Sequence, residues 1–270
     1  MKTRCFIVLL SLFLFVSCGE KRTNPLIKNL DQSWIVTTDT LNIKMQVDVP
    51  SVIQADMYEN GLIPHPYKSN VEPQLLWIPQ HEWTYTLDFV ADDYILDEDV
   101  VELVFEGLDT YADVWFNGKK ILHADNMFRT YSYDVKDIIK EKNNIKIKFY
   151  PFDKERDSLI ETYRLRFPEK YAVMRKAAYQ NGWDWAPRYM NMGIWQPVYL
   201  KAWTRSTICS ASVITKDIHD DKADLFFEAC IKADVEHNIS LQLFQEGEKI
   251  LDQNINLTKG TNYYSFPFEI

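Results

Sequence analysis

Tyr111-Ala112-Asp113-Val114-Trp115-Phe116-Asn117-Gly118-Lys119-Lys120-Ile121-Leu122 reads as a β-hairpin. Two runs rich in β-branched and aromatic residues flank Asn-Gly, the dipeptide that supplies the positive φ angles of a type I′ turn. Upstream, Glu82 to Phe89 places Trp83, Tyr85, Leu87 and Phe89 on one face of an extended segment. Val100 to Phe105 forms a second run, closed by Glu106-Gly107-Leu108-Asp109. Downstream, Tyr131 to Val135, Asn144 to Phe149 and Ile194 to Trp203 continue the series. Period-2 patterning with short turns predicts two antiparallel sheets packed face to face. Past Thr204 the pattern resumes over 208–216, 223–233, 239–246, 250–257 and 263–270. That makes four or five strands, where an immunoglobulin-like sandwich needs about seven. The expected class is therefore all-β, with a first domain over 29–204 and an incomplete second sandwich over 205–270. The last run continues to Ile270, so the expectation is a fragment or the front of a longer product.

Composition supports a large core. Of the 270 residues, 46% are hydrophobic and 14% aromatic. Eight Trp and fifteen Tyr fit a β-rich fold or carbohydrate contact. A net charge of −9 argues against nucleic acid, since little here would displace phosphate counterions. The five His are scattered without a Cys cluster, and no phosphate loop, dinucleotide fingerprint or nucleophile elbow occurs, so neither a metal nor a cofactor is expected. Residues 153–176 are charged, with a weak helical pattern up to Arg166 that Pro168 interrupts.

Lys2 and Arg4 precede an apolar run over residues 5–16, too short for an ordinary membrane span. Ser17-Cys18-Gly19 follows and resembles a bacterial lipoprotein processing site. On this reading residues 1–18 are a signal peptide and Cys18 is lipidated. Residues 19–28 are then a tether, and the protein is held at the bacterial cell envelope, facing the periplasm or exported to the surface. Cleavage as an ordinary secretory signal is the alternative. Cys209 and Cys230 then share an oxidising compartment, where a disulfide and two free thiols are both open.

The stretch with chemical character is Arg175-Lys176-Ala177-Ala178-Tyr179-Gln180-Asn181-Gly182-Trp183-Asp184-Trp185-Ala186-Pro187-Arg188. Two indoles around a carboxylate offer flat apolar faces beside strong acceptors, which matches the C–H faces and hydroxyl rim of a sugar ring. Gly182 and Pro187 predict a loop in which all three side chains reach one place. A core Trp with Asp184 as a turn cap is the plainer alternative.

This stretch, with Gly193-Ile194-Trp195, resembles the N-terminal domain of the β-mannosidases, retaining glycoside hydrolases of the β-galactosidase and β-glucuronidase type. Phe105 to Gly118, with Asn126-Met127-Phe128-Arg129, resembles the jelly-roll (galactose-binding-like) domain of the same enzymes. Ile63-Pro64-His65-Pro66-Tyr67 and Glu72 resemble a Pro-rich segment on their active-site side. The resemblance implies a jelly-roll β-sandwich followed by the partial immunoglobulin-like sandwich. It also implies hydrolysis of terminal non-reducing β-D-mannose residues, with a β-mannoside or manno-oligosaccharide as partner. Asp184 then binds a sugar hydroxyl, Trp185 or Trp183 walls the pocket, and Arg175 and Glu72 lend support. Ala178, Asn181 and Ala186 depart from the family's Gln, Phe and Gly.

Retaining hydrolysis needs two carboxylates about 5–5.5 Å apart, which the family places on a (β/α)8 barrel of roughly 250 residues. No such pattern occurs in this sequence, so no catalytic residue is assigned and the chain alone is expected to be inactive. The alternatives are a non-catalytic carbohydrate-binding lipoprotein module and an inactive truncated product.

Overall fold

The structure is a computed structural model that describes residues 25–164, 166 and 170–270. The signal peptide, Cys18, most of the tether and Pro168 lie outside the described residues.

The first domain contains β1 (Leu26–Asn29), β2 (Trp34–Thr38), β3 (Ile43–Val47), β4 (Trp83–Val90), β5 (Val100–Phe105) and β6 (Leu108–Asp109). It continues with β7 (Ala112–Phe116), β8 (Lys119–Ala124), β9 (Tyr131–Asp134), β10 (Lys142–Phe149), β11 (Gly193–Ile194) and β12 (Val198–Trp203). Among the described residues a six-stranded sheet runs β3-β2-β4-β10-β7-β8, and a four-stranded sheet runs β1-β12-β5-β9. A short β11-β6 pair joins them at one end. The inward positions of the alternating strands fill the space between, with Trp34, Trp83, Tyr85, Phe105, Phe116 and Phe149 fully buried. The sandwich expected from period-2 patterning is the one observed.

The Asn117-Gly118 turn has the two positive φ angles that its dipeptide predicts, 49° and 81°. The expected tether is corrected at its end. Leu26 to Asn29 is strand β1, paired antiparallel with β12. Four residues with one half-buried face look like linker until the partner strand is known.

Among the described residues, three short α-helices and one longer one lie in the connections. They are α1 (Ile53–Glu59), α2 (Glu72–Leu75), α3 (Asp93–Leu96) and α4 (Phe152–Tyr163). Helix α4 stops at Tyr163, short of the predicted Arg166, because Arg164 turns left-handed with φ of 50°.

In α1, the buried Asp56 accepts a hydrogen bond from the Tyr85 hydroxyl at 3.0 Å. Burial pushes its carboxyl up to about 6 against the pull of Ser51 and Tyr85. The folded state thus holds this proton more tightly than the unfolded chain does. Stability is expected to fall as pH rises from about 4 to about 6, by up to about 3 kcal/mol from this group. Asp56→Asn keeps an acceptor for Tyr85 and should remove that part of the slope. Denaturant titrations of both proteins across this range check it, and an unchanged slope in the variant contradicts it.

The second domain contains β13 (Ser206–Ile218), β14 (Ala223–Ala233), β15 (His237–Gln245), β16 (Glu248–Leu257) and β17 (Gly260–Glu269). Among the described residues, sheet β13-β14-β17 faces the β15-β16 hairpin across Phe227, Ile231, Leu241, Leu251 and Leu257. Glu102 of β5 ties the two domains. It accepts from Lys232 Nζ at 2.7 Å, Ser132 Oγ at 3.1 Å and Trp203 Nε1 at 3.1 Å. Burial alone would raise the Glu102 carboxyl, yet Lys232 and Trp203 hold it below its ordinary value.

Candidate functional site

A short 3-10 turn, Ala178–Asn181, leads into the aromatic stretch and is closed by Gly182 at φ of 88°. A side chain is strained at that angle, so Gly182 is where the chain can reverse. Trp183 and Ala186 then bond to each other in both directions, N–H to C=O, at 3.1 and 3.2 Å. Asp184 and Trp185 occupy the tip of this tight turn. Trp183 is 64% exposed and Trp185 84%. Asp184 is exposed too, and its carboxylate makes no hydrogen bond or ion pair with any described residue. The stretch is a loop, and neither indole is core.

What fixes this tip is a buried polar cluster beneath it. Lys176 Nζ donates to Asp109 Oδ1 at 2.5 Å and to the Asn191 carbonyl at 2.6 Å. The two side chains are 2% and 1% exposed. Gln180 Nε2 donates to the other Asp109 oxygen at 2.9 Å, while Gln180 Oε1 accepts from Asn191 N–H at 2.9 Å. Thr110 Oγ1 also donates to Asp109. Burial pulls the Lys176 pKa down, and Asp109 opposes it. The Asp109 carboxylate on β6 thus gathers Lys176 and Gln180 of the arm before the loop, and both of these reach Asn191 after it.

Two further contacts brace the arm. Met127 N–H donates to the Arg175 carbonyl at 3.0 Å, and Trp195 Nε1 donates to the Met127 carbonyl at 2.9 Å. The Trp195 indole lies against Gly107, where an added Cβ would sit 2.4 Å from Nε1. On the other side, Arg188 Nη2 donates to the Tyr171 hydroxyl at 2.7 Å, and its guanidinium lies 5.1 Å from that ring. Arg156 of α4 sits 5.1 Å from the same ring. Arg156 and Tyr171, both within the charged excursion, are therefore part of the loop's support.

Arg175 itself is exposed, and no ion pair joins it to Asp184. The neighbouring Lys176 carries the buried contact instead. Sequence reasoning missed Lys176, Asp109, Gln180 and Arg188. The available signal was Asp109 in the short connection between the strand runs ending at Phe105 and starting at Tyr111. Glu72 heads α2, half-buried, and its charge acts on Tyr189. Burial first, then Glu72 and Tyr67, raises the Tyr189 pKa. The Tyr189 hydroxyl donates to the Pro66 carbonyl, and Tyr67 packs edge-on against Tyr189 at 5.6 Å. The Pro-rich segment thus meets the chain five residues past Asp184. A cleft of about 250 Å³ lies there, lined by Tyr58, His65, Tyr67, Tyr189 and Asn191 among others. No group of three or more His, Cys, Asp or Glu among the described residues is placed to hold a metal ion.

Residues 30–196 match the family model described as glycosyl hydrolase 2 galactose-binding domain-like. The chain belongs to this glycosyl hydrolase 2 family. Among family relatives, it is 29% identical over 188 residues to a β-mannosidase of Mus musculus, covering 65% of this chain and 21% of the relative. It is 33% identical over 183 residues to β-mannosidase A of Emericella nidulans, covering 63% and 19%. The solved β-D-mannosidase of Dictyoglomus thermophilum superposes with a TM-score of 0.78 at 27% identity, covering 91% of this chain and 31% of that one. The chain thus spans about a fifth of the length of the curated relatives it matches. The glycosyl hydrolase 2 match covers both the buried Asp109–Lys176 cluster and the Trp183-Asp184-Trp185 tip.

Proposed function

We propose that this chain is the substrate-recognition part of a β-mannosidase-type glycoside hydrolase, which cleaves terminal non-reducing β-D-mannose residues. The observation that carries the reading is the unpartnered Asp184 between two exposed indoles, on a turn anchored by a buried ion pair. A preorganised acceptor next to apolar faces suits a sugar ring, and ordering it in advance removes part of the cost of binding. Relatives named β-mannosidase support the choice of sugar. The reacting carboxylates belong to a barrel that these residues do not contain.

Two assays test this. The purified chain given an aryl β-mannoside should match a heat-killed control. The same residues followed by a matching barrel should hydrolyse the mannoside in preference to the epimeric glucoside. Turnover by the chain alone, or preference for the glucoside, overturns the reading.

The same proposal includes an envelope location through Cys18, resting on Lys2, Arg4, the apolar run and Ser17-Cys18. Among the described residues no helix is long and apolar enough to cross a membrane. Mass spectrometry of the membrane fraction should find an acylated Cys18 at the mature N-terminus, and Cys18→Ser should abolish it. An unmodified Cys18 within the mature protein removes the anchor.

A further inference from the structure

The β13–β14 ladder carries an irregularity at one place that brings two thiols together. Ile208 lies opposite Ile231 and Ser210 opposite Cys230, which leaves Cys209 as the extra residue of a bulge. A bulge sets two residues against one and re-aims the extra side chain. Here the extra residue is Cys209, beside the Ser210–Cys230 pair, and the two thiols are close enough to act on each other electrostatically. Both cysteines are free, Cys209 exposed and Cys230 half-buried. A disulfide bridges Cα atoms about 4.4–6.8 Å apart, a span that suits a bulge residue and the partner-strand residue beside it. Cys230 also lines an open cleft of about 350 Å³ with Ser210, Ser212, Glu228, Tyr263 and Tyr264, so a small oxidant has access. Lys232, one register step along the same face, favours a thiolate at Cys209, although burial and Cys230 outweigh it.

We propose that Cys209 and Cys230 form a cross-strand disulfide when the protein meets a small-molecule disulfide of the glutathione class, and that the bridge pins β13 to β14. The Cys209 thiolate attacks one sulfur of the oxidant. The new S–S bond forms as the old one breaks, and one reduced thiol leaves. The Cys230 thiolate then attacks the Cys209 sulfur of this mixed disulfide and expels the second thiol. The protein loses two protons and two electrons, and the oxidant gains them. The location suits such a brace. β13 is an edge strand that follows directly on the Thr204-Arg205 connection, and Ile208, Val213, Ile214 and Ile218 along it are exposed. Among the described residues its register rests on β14 alone.

The test uses the full chain, reduced, then held with oxidised glutathione, alkylated while folded and mapped by mass spectrometry. The expected result is a linked peptide pair joining Cys209 to Cys230, with neither alkylated. Cys230→Ser should instead accumulate a glutathione adduct on Cys209. The oxidised protein should melt at a higher temperature than the reduced one, and the difference should vanish in Cys209→Ser. Alkylation of both cysteines after oxidation overturns the proposal. So do adducts on both, or a bridge from either to Cys5 or Cys18. The mapping of the unaltered protein decides the matter even if a variant fails to fold.

Discussion

Asp109→Ala is expected to destabilise the first domain by about 3–5 kcal/mol, because it leaves the Lys176 ammonium buried with no countercharge. Lys176 is 2% exposed, so water cannot replace the lost carboxylate without opening the structure. The Gln180 amide and the Thr110 hydroxyl lose their acceptor in the same step. The net lowering of the Lys176 pKa shows that burial costs this ammonium more than Asp109 returns. Removing the whole charge pair should therefore be gentler than breaking it. Asp109→Ala combined with Lys176→Met is expected to cost less than Asp109→Ala alone, a pattern that separates a buried ion pair from mere packing. Denaturant unfolding of the single and double variants measures this. A single-variant loss below about 1 kcal/mol, the range of surface pairs, would contradict the buried assignment.

Asp184→Ala is expected to lower kcat/KM roughly tenfold to a few hundredfold in a polypeptide where these residues precede their barrel. A hydroxyl donated to a charged acceptor is worth about 1.5–3 kcal/mol, and truncation leaves that hydroxyl unpaired in a dry pocket. Stability should stay within about 0.5 kcal/mol, because the exposed carboxylate has no partner among the described residues to lose. Asp184→Asn should cost less than Asp184→Ala, since the amide oxygen still accepts. The absence of an ion pair to Arg175 strengthens that ordering, because no cation among the described residues depends on the Asp184 charge. Measuring kcat/KM and thermal stability on the same samples, with a mannoside and its epimeric glucoside, keeps the two roles apart. Unchanged kcat/KM with lowered stability would make Asp184 a brace for the turn and remove it from sugar binding.

The two expectations concern neighbouring parts of one device with opposite physics. Asp109 is buried and satisfied, and its removal is felt as stability. Asp184 is exposed and, among the described residues, unsatisfied, and its removal is expected to be felt by a ligand. On the proposed function, the arm between them would hold the aromatic tip in place for a sugar.

Local chemistry determined a large share of this protein. Strands β4, β5, β7, β8, β10 and β14 follow from alternation over a few residues, and the Asn117-Gly118 turn from the conformations those two residues tolerate. The aromatic tip was legible for the same reason, since Gly182, Pro187 and the Trp-Asp-Trp triplet are adjacent in the chain. Three things required the tertiary structure. β1 became a strand only because β12, more than a hundred residues later, supplied its hydrogen bonds. Arg175 and Lys176 look interchangeable in sequence, yet one is exposed and the other bonds to a carboxylate 67 positions away. Cys209 was set beside the partner position of Cys230 by a bulge that no pattern in β13 announces. Alternation and turn chemistry act within a few residues. The partner of a buried charge or thiol is set by which strands lie side by side, and that is decided only when the sheets close.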